Sequence, residues 1–198
     1  MISLGFNSDL VEKKVSYNIL GIDPGTNILG FAIIDVFSQN VKVVEMGILN
    51  FTKSKSHQEK LMHIHNNIQI LIDKYQPYQM AIEAPFYGKN IQSMLKLGRA
   101  QGVAIAAALT NGVLVEEYSP KKIKLAITGN GNASKEQVSG MLQNIIDLKN
   151  FNINLLDATD ALAVALCHHF QNKLLKQKTR QFSDWSDFAN NNKERIKS

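Results

Sequence analysis

The sequence predicts an α/β fold, a mixed five-stranded sheet flanked by helices. Three observations predict it. Three strand-like apolar segments come first, the opening pair joined by a tight turn at Pro24-Gly25, so they pair in hairpin fashion. Helical and strand patterns then alternate, and a mixed sheet covered on its faces by helices accommodates that order. No internal repeat is visible, and 198 residues suffice for one domain to bury a core without staples.

Each element has a local reason. Residues 18–23 and 29–36 are apolar runs on either side of the turn, and VKVVEMGILNF at 41–51 alternates as a half-buried strand does. In residues 57–76, Leu61, Ile64, Ile68, Leu71 and Tyr75 recur at steps of three and four, an amphipathic helix that Pro77 stops. QMAIEAP, residues 79–85, is a short buried strand. Residues 90–112 form a long helix ending at Asn111-Gly112, and VLVEEYS at 113–119 is the fifth strand. Ser119-Pro120 starts another helix, with Ser as N-cap and Pro in the first turn. Gly129 and Gly131 break the chain, and a Ser134/Gln137 capping box restarts it. A last helix is expected from near Asn154 to about Leu175. This divides the chain into a flexible lead-in at 1–17, a folded domain at 18–175 and a polar basic tail at 176–198.

Composition narrows the function classes. No apolar run approaches the length of a membrane span, and the N-terminus has no basic segment followed by an apolar core, so neither a span nor a signal peptide is expected. Cys167 is the one cysteine, which excludes an internal disulfide and fits a reducing, cytoplasmic setting. The net charge of +5 hints at a polyanionic partner. Most of that excess lies in the tail, so a nucleic-acid surface in the body must be local. Two acid-free stretches qualify: residues 86–102 with Lys89, Lys96 and Arg99, and residues 121–135 with Lys121, Lys122, Lys124 and Lys135.

The acids are the informative feature. Asp23 ends an apolar strand, Glu83 sits in another, and Asp157 and Asp160 lie three apart in the apolar stretch LLDATDALAVAL, on one helix face. Carboxylates inside apolar elements need a partner, and these segments contain no Lys or Arg. Four such acids are the arrangement expected around divalent ions, which select hard oxygen ligands. Each has an ordinary alternative: turn chemistry for Asp23, the dipole of a helix capped by Asn154 for Asp157, and a solvent-facing strand end for Glu83. Their joint placement at element ends that share one sheet edge favours the metal reading.

Four segments carry a resemblance: LGIDPGTNILGFAIID, AIEAPFYGKNIQSMLKLGRAQGVAIAAAL, EYSPKKIKLAITGNGNASKEQV and LDATDALAVAL. In that order, over about residues 18–170, they resemble the RuvC family of Holliday-junction resolvases in the ribonuclease-H-like superfamily. The resemblance implies a dimeric, magnesium-dependent endonuclease of recombination and repair. It holds two Mg²⁺ per active site, with Mn²⁺ able to substitute, and cuts four-way junction DNA by paired nicks. Its carboxylate tetrad falls on Asp23, Glu83, Asp157 and Asp160. Some members have His where this chain has Asp157. Phe86 takes the place of an aromatic residue at the junction's branch point, with Tyr87 a competing candidate. Lys124 and Lys135 match phosphate-contacting positions, and Lys89, Lys121 and Lys122 join them as DNA-binding candidates. Gly98 and Gly102 lie in the helix through which members dimerise, where close packing on the protein's own sheet is the alternative. The resemblance also implies a branch-migration helicase complex as partner. His168 and His169 read as ordinary helix positions, and the tail with Trp185 matches no motif.

Three other functions compete. A related ribonuclease-H-like nuclease acting on structured RNA shares the tetrad, but the Phe86 loop and the basic segments argue against it. A non-catalytic junction-binding protein would have no need of four intact acids. An actin-like kinase or ATPase needs a second domain for which 198 residues leave no room.

Overall fold

The structure is a computed structural model, and it describes residues 16–38, 40–85 and 90–181. Strands β1 (Ser16–Asp23), β2 (Ile28–Phe37) and β3 (Asn40–Asn50) lead into helix α1 (His57–Tyr75). Strand β4 (Gln79–Glu83), helix α2 (Ile91–Thr110) and strand β5 (Leu114–Tyr118) follow, then helices α3 (Pro120–Thr128), α4 (Lys135–Ile145) and α5 (Leu156–Gln181). The strands order as β3-β2-β1-β4-β5. β3, β2 and β1 are antiparallel neighbours, whereas β4 and β5 run parallel to β1 and to each other. The mixed five-stranded sheet expected from the sequence is the one observed.

Both faces of the sheet are covered, which is why β1 and β2 read as nearly continuous apolar runs. Ile19, Ala32, Ile34 and Val36 point into a core shared with α3, α4 and α5. Leu20, Ile22, Phe31 and Ile33, at the alternate positions, pack with α1 and α2 on the other side. Helix α5 is buried all round between Ala161 and Cys167. Its backbone comes unusually close to the sheet at Gly21, where a Cβ would lie 2.3 Å from the Ala161 carbonyl oxygen. Among the described residues no helix is long and apolar enough to cross a membrane.

The helix ends follow the local rules. Ser56, Ser119 and Ser134 each accept a backbone N–H at a helix start, and Ser134 and Gln137 form the full capping box. Helix α1 ends at Tyr75, two residues before Pro77, with the C-cap Gln76 in the left-handed region at φ 45°. Gly129 closes α3 at φ 75°. Some boundaries differ from the sequence reading. β1 begins at Ser16 rather than Asn18, because Ser16 and Tyr17 still pair with Phe37 and Val36, and Tyr17 packs edge-on against Tyr78. α5 starts at Leu156, with the Leu155 carbonyl accepting the first helical N–H groups, so Asn154 is not its cap. Its far end reaches Gln181 through a run of good helix formers, beyond the expected Leu175. Phe86, Tyr87, Lys89 and residues 182–198 lie outside the described residues.

His168 is more than an ordinary helix position. Its Nδ1 lies 2.8 Å from the Tyr118 hydroxyl and its Nε2 3.0 Å from Gln79 Oε1, tying α5 to β5 and β4 inside the core. Burial pushes its pKa down to about 4, with His169 adding to the effect, so the ring stays neutral and structural.

Candidate active site

The sheet places the four acids before any of them makes a contact. β1 and β4 run parallel with Ile22 beside Ile82, so Asp23 and Glu83 end neighbouring strands at the same edge. Asp157 and Asp160 come from the first turns of α5, which crosses over that edge. What allows the crossing is Gly30. It is the register partner of Asp23, and a Cβ there would lie 1.9 Å from the Asp157 carbonyl oxygen. Only a residue without a side chain lets the start of α5 settle onto the sheet beside Asp23.

The result is a dense cluster of charge. Asp23, Asp157 and Asp160 each offer a carboxylate oxygen, and these atoms lie within 4.8 Å of one another. Glu83 lines the same pocket with Asp23 and Asp160, opposite Lys124 and Lys135. Asp23 is pushed up to about 8, first by burial and then by Glu83 and Asp160. Glu83 is pushed up to about 7 by burial and by Asp160. Lys135 Nζ reaches Asp160 Oδ2 at 2.5 Å. Desolvation works against its charge, but the bond to Asp160 and the field of Asp160, Asp23 and Asp157 hold its pKa up. Two lysines against four converging acids leave negative charge that hard divalent cations fit, and hard oxygen donors are what such ions select.

The raised acids have a consequence for stability. A folded pKa above the unfolded value, which is near 4 for a carboxylate, means the folded state holds protons that the unfolded chain has released. Stability is therefore lost as pH rises from about 4 through the folded values of about 7 and about 8. In chelator, the melting temperature should fall between about pH 5 and about pH 8.5, and Asp23→Asn should show a smaller fall than the parent. Identical pH slopes for the two proteins would place Asp23 in an ordinary carboxylate setting.

The other candidates divide. Lys124 and Lys135 line the pocket. Lys122 instead lies over the Tyr118 ring at 4.8 Å, and the stem of Lys121 lies against Gly131. Among the described residues, Gly98 and Gly102 have open space where a side chain would go, so they do not pack on the protein's own sheet. They share the outer face of α2 with exposed Ile91, Leu95 and Leu109. Phe86, Tyr87 and Lys89 belong to the loop outside the described residues.

Two positioning residues were not singled out from the sequence. Gly30 was legible in principle, as a glycine inside an apolar strand. Gln101 was not: it is buried on α2, where its side-chain amide donates to Glu117 Oε2 at 2.6 Å and to the Glu83 carbonyl at 3.4 Å. It thereby ties the ends of β4 and β5, but only the fold brings those groups together.

A family model described as "Crossover junction endodeoxyribonuclease RuvC" matches residues 19–168, which contain all four acids. The chain belongs to the RuvC family. The crossover junction endodeoxyribonuclease RuvC of Bacteroides fragilis is 50% identical over 189 residues, spanning 94% of this chain and 98% of that protein. The RuvC of Cytophaga hutchinsonii is 48% identical, spanning 93% and 90%. Among solved structures, a Thermus thermophilus RuvC in complex with Holliday junction substrate superposes with a TM-score of 0.73 at 29% identity, over 80% of this chain and 96% of that one. RuvC relatives thus cover the whole sheet and its acidic edge, and the ribonuclease-H-like fold follows from them.

Proposed function

We propose that this chain is a crossover junction endodeoxyribonuclease that resolves four-way DNA junctions by paired nicks in recombination and repair. The observation that carries this reading is the meeting of Asp23, Glu83, Asp157 and Asp160 at one sheet edge beside Lys124 and Lys135. The tetrad would hold two Mg²⁺ ions, with Mn²⁺ able to substitute. When bound, such ions activate the attacking water and stabilise the leaving 3′-oxygen. The chain's own part is positional. Asp23 and Glu83 are fixed by rigid strands, Asp157 and Asp160 by the base of a buried helix, and Lys124 and Lys135 face the pocket to meet phosphate oxygens.

A dimer built on the outer face of α2, around Gly98 and Gly102, sets two such edges to face a junction of near two-fold symmetry. In this reading Phe86, or Tyr87 beside it, stacks at the branch point, a contact worth about 1–3 kcal/mol per base. A cytoplasmic setting and a branch-migration helicase partner complete the proposal.

The deciding experiment incubates the full chain with Mg²⁺ and a labelled mobile four-way junction, a linear duplex and a structured RNA. Paired nicks in the junction alone are expected. Preferential cutting of the RNA would favour the related RNA nuclease, and binding without cutting would favour the non-catalytic alternative.

Lys124→Ala and Lys135→Ala should each weaken junction binding and flatten its salt dependence by about 0.9 in slope, the contribution of one phosphate contact. A titration of affinity against salt reads this directly. An unchanged slope would assign these lysines to the solvated surface of α3 and α4.

A further inference from the structure

The carboxylate edge is flanked by cations on both faces of the sheet, and the mechanism above uses only those on the α5 side. On the other face, the loop between β3 and α1 carries Lys53 and Lys55, α1 carries Lys60, and α2 carries Lys96 and Arg99. Glu59 is the sole acid in residues 51–66 and 90–110 together. That acid is already engaged, accepting the Lys55 backbone N–H at 2.6 Å and lying 3.7 Å from His63 Nε2. Lys53, Lys55, Lys96 and Arg99 are exposed.

These cations are tied to the acidic edge. The Phe51 N–H donates to the Asn27 carbonyl at 2.7 Å, and Lys60 Nζ donates to Asn27 Oδ1 at 2.5 Å. Asn27 sits in the turn that follows Asp23, so the β3–α1 loop is stitched to the turn beside a metal ligand. The cations also converge. His57, at the start of α1, has its pKa lowered first by desolvation and then by Arg99, Lys96 and Lys60, which reach it from two helices. Its Nε2 is shielded from solvent and lacks a hydrogen-bond partner among the described residues. A concentration of like charge without nearby acids is stabilised by a polyanion.

We infer that this face is a second phosphate-contacting surface, which receives the backbone of a DNA duplex arm as it leaves the carboxylate edge. A strand held with its scissile phosphate at the edge must run off in two directions. Phosphates on one side of the cut meet Lys124 and Lys135; those on the other side meet Lys53, Lys55, Lys96 and Arg99. The surface is separate from the outward stripe of α2. At 100° per residue, Lys96 and Arg99 fall to one side of Leu95, Gly98 and Gly102, toward α1. Contacts to backbone phosphates position a duplex without reading its sequence, so this surface adds affinity and register rather than site preference.

The inference rests on the nuclease reading for where the cut strand lies, and its test separates the two. The variant is Lys53→Ala/Lys55→Ala/Lys96→Ala/Arg99→Ala in the full chain, leaving Lys60 to hold Asn27. Circular dichroism and sedimentation check that fold and oligomeric state match the parent. Affinity is then measured against salt for two DNA junctions, one with long arms and one with arms cut back to a single helical turn. On long arms the variant should lose about 0.9 of slope per phosphate contact, roughly 2–4 in all, with at least a tenfold loss of affinity. On short arms parent and variant should converge. A parallel titration with inorganic phosphate should show no difference between the proteins, because the surface is built for a spaced row of phosphates. Equal slopes on long arms, in a variant that is folded and assembled as the parent is, would overturn the inference. So would a difference that persists undiminished on short arms. A parent that binds with this salt dependence yet leaves junctions uncut would instead sink the nuclease reading.

Discussion

Asp23→Asn and Glu83→Gln are each expected to lower single-turnover junction cleavage on the order of 10³-fold or more, about 4 kcal/mol of barrier, while leaving junction affinity nearly intact. The separation follows from geometry. Both acids line the pocket from the strand ends, whereas the groups placed to meet phosphate are lysines on α3 and α4. Each substitution keeps the size of the side chain and removes a ligand charge, so the fold loses nothing. Removing a buried, repelling carboxylate should even raise the melting temperature of the metal-free protein, since Asp23 is held up to about 8 by burial and by its acidic neighbours. A second readout needs no DNA: Mn²⁺ titrated into each variant should bind more weakly than to the parent. Cleavage and DNA binding lost in equal measure would assign these acids a structural role.

Gly30→Ala is expected to disable the enzyme from a position that touches no phosphate. Its Cβ would meet the Asp157 carbonyl oxygen, a backbone atom at the base of a buried helix that cannot swing aside. Either β2 or the start of α5 must shift. Overpacking of this kind costs about 3 kcal/mol, or roughly 10 °C in melting temperature for a chain of this size. Because Asp157 and Asp160 ride on the displaced turn, cleavage should fall further than the loss of folded protein explains. Assays well below the melting temperature of the variant separate the two effects. Gly98→Ala serves as the control, since a Cβ there meets open space and should leave thermal stability nearly unchanged in the monomer. A Gly30→Ala protein with parental stability and activity would show that α5 does not lean on β2 as described.

Much of this protein was readable along the chain. Alternation of apolar residues, the Ser-based caps, Pro77 and the glycine stops located every strand and helix, because each signal acts within a few residues of itself. The acids were legible for an energetic reason: a carboxylate in an apolar element is costly, so its presence demands an explanation. The boundary differences have both tertiary and local causes. Ser16 and Tyr17 extend β1 because β2 offers them partners, and α5 starts two residues late because its first carbonyl comes from Leu155 rather than Asn154. Gln101 could not have been picked out at all, since its partners Glu83 and Glu117 sit on two different strands.

By itself, then, the sequence determined the kind of each element, the four acids and the two lysine-bearing segments, all of which are properties of short stretches of chain. Only the tertiary structure decided that β1 lies between β2 and β4, which sets Asp23 beside Glu83, and that α5 descends onto Gly30, which brings Asp157 and Asp160 to them. It also decided that Lys124 and Lys135 face the acids while Lys121 and Lys122 turn away. The reason is range. Periodicity and capping are fixed by neighbours three or four residues away, whereas strand order and the approach of a helix to a sheet depend on how distant surfaces fit together. Only that fit brings four dispersed carboxylates within reach of one another.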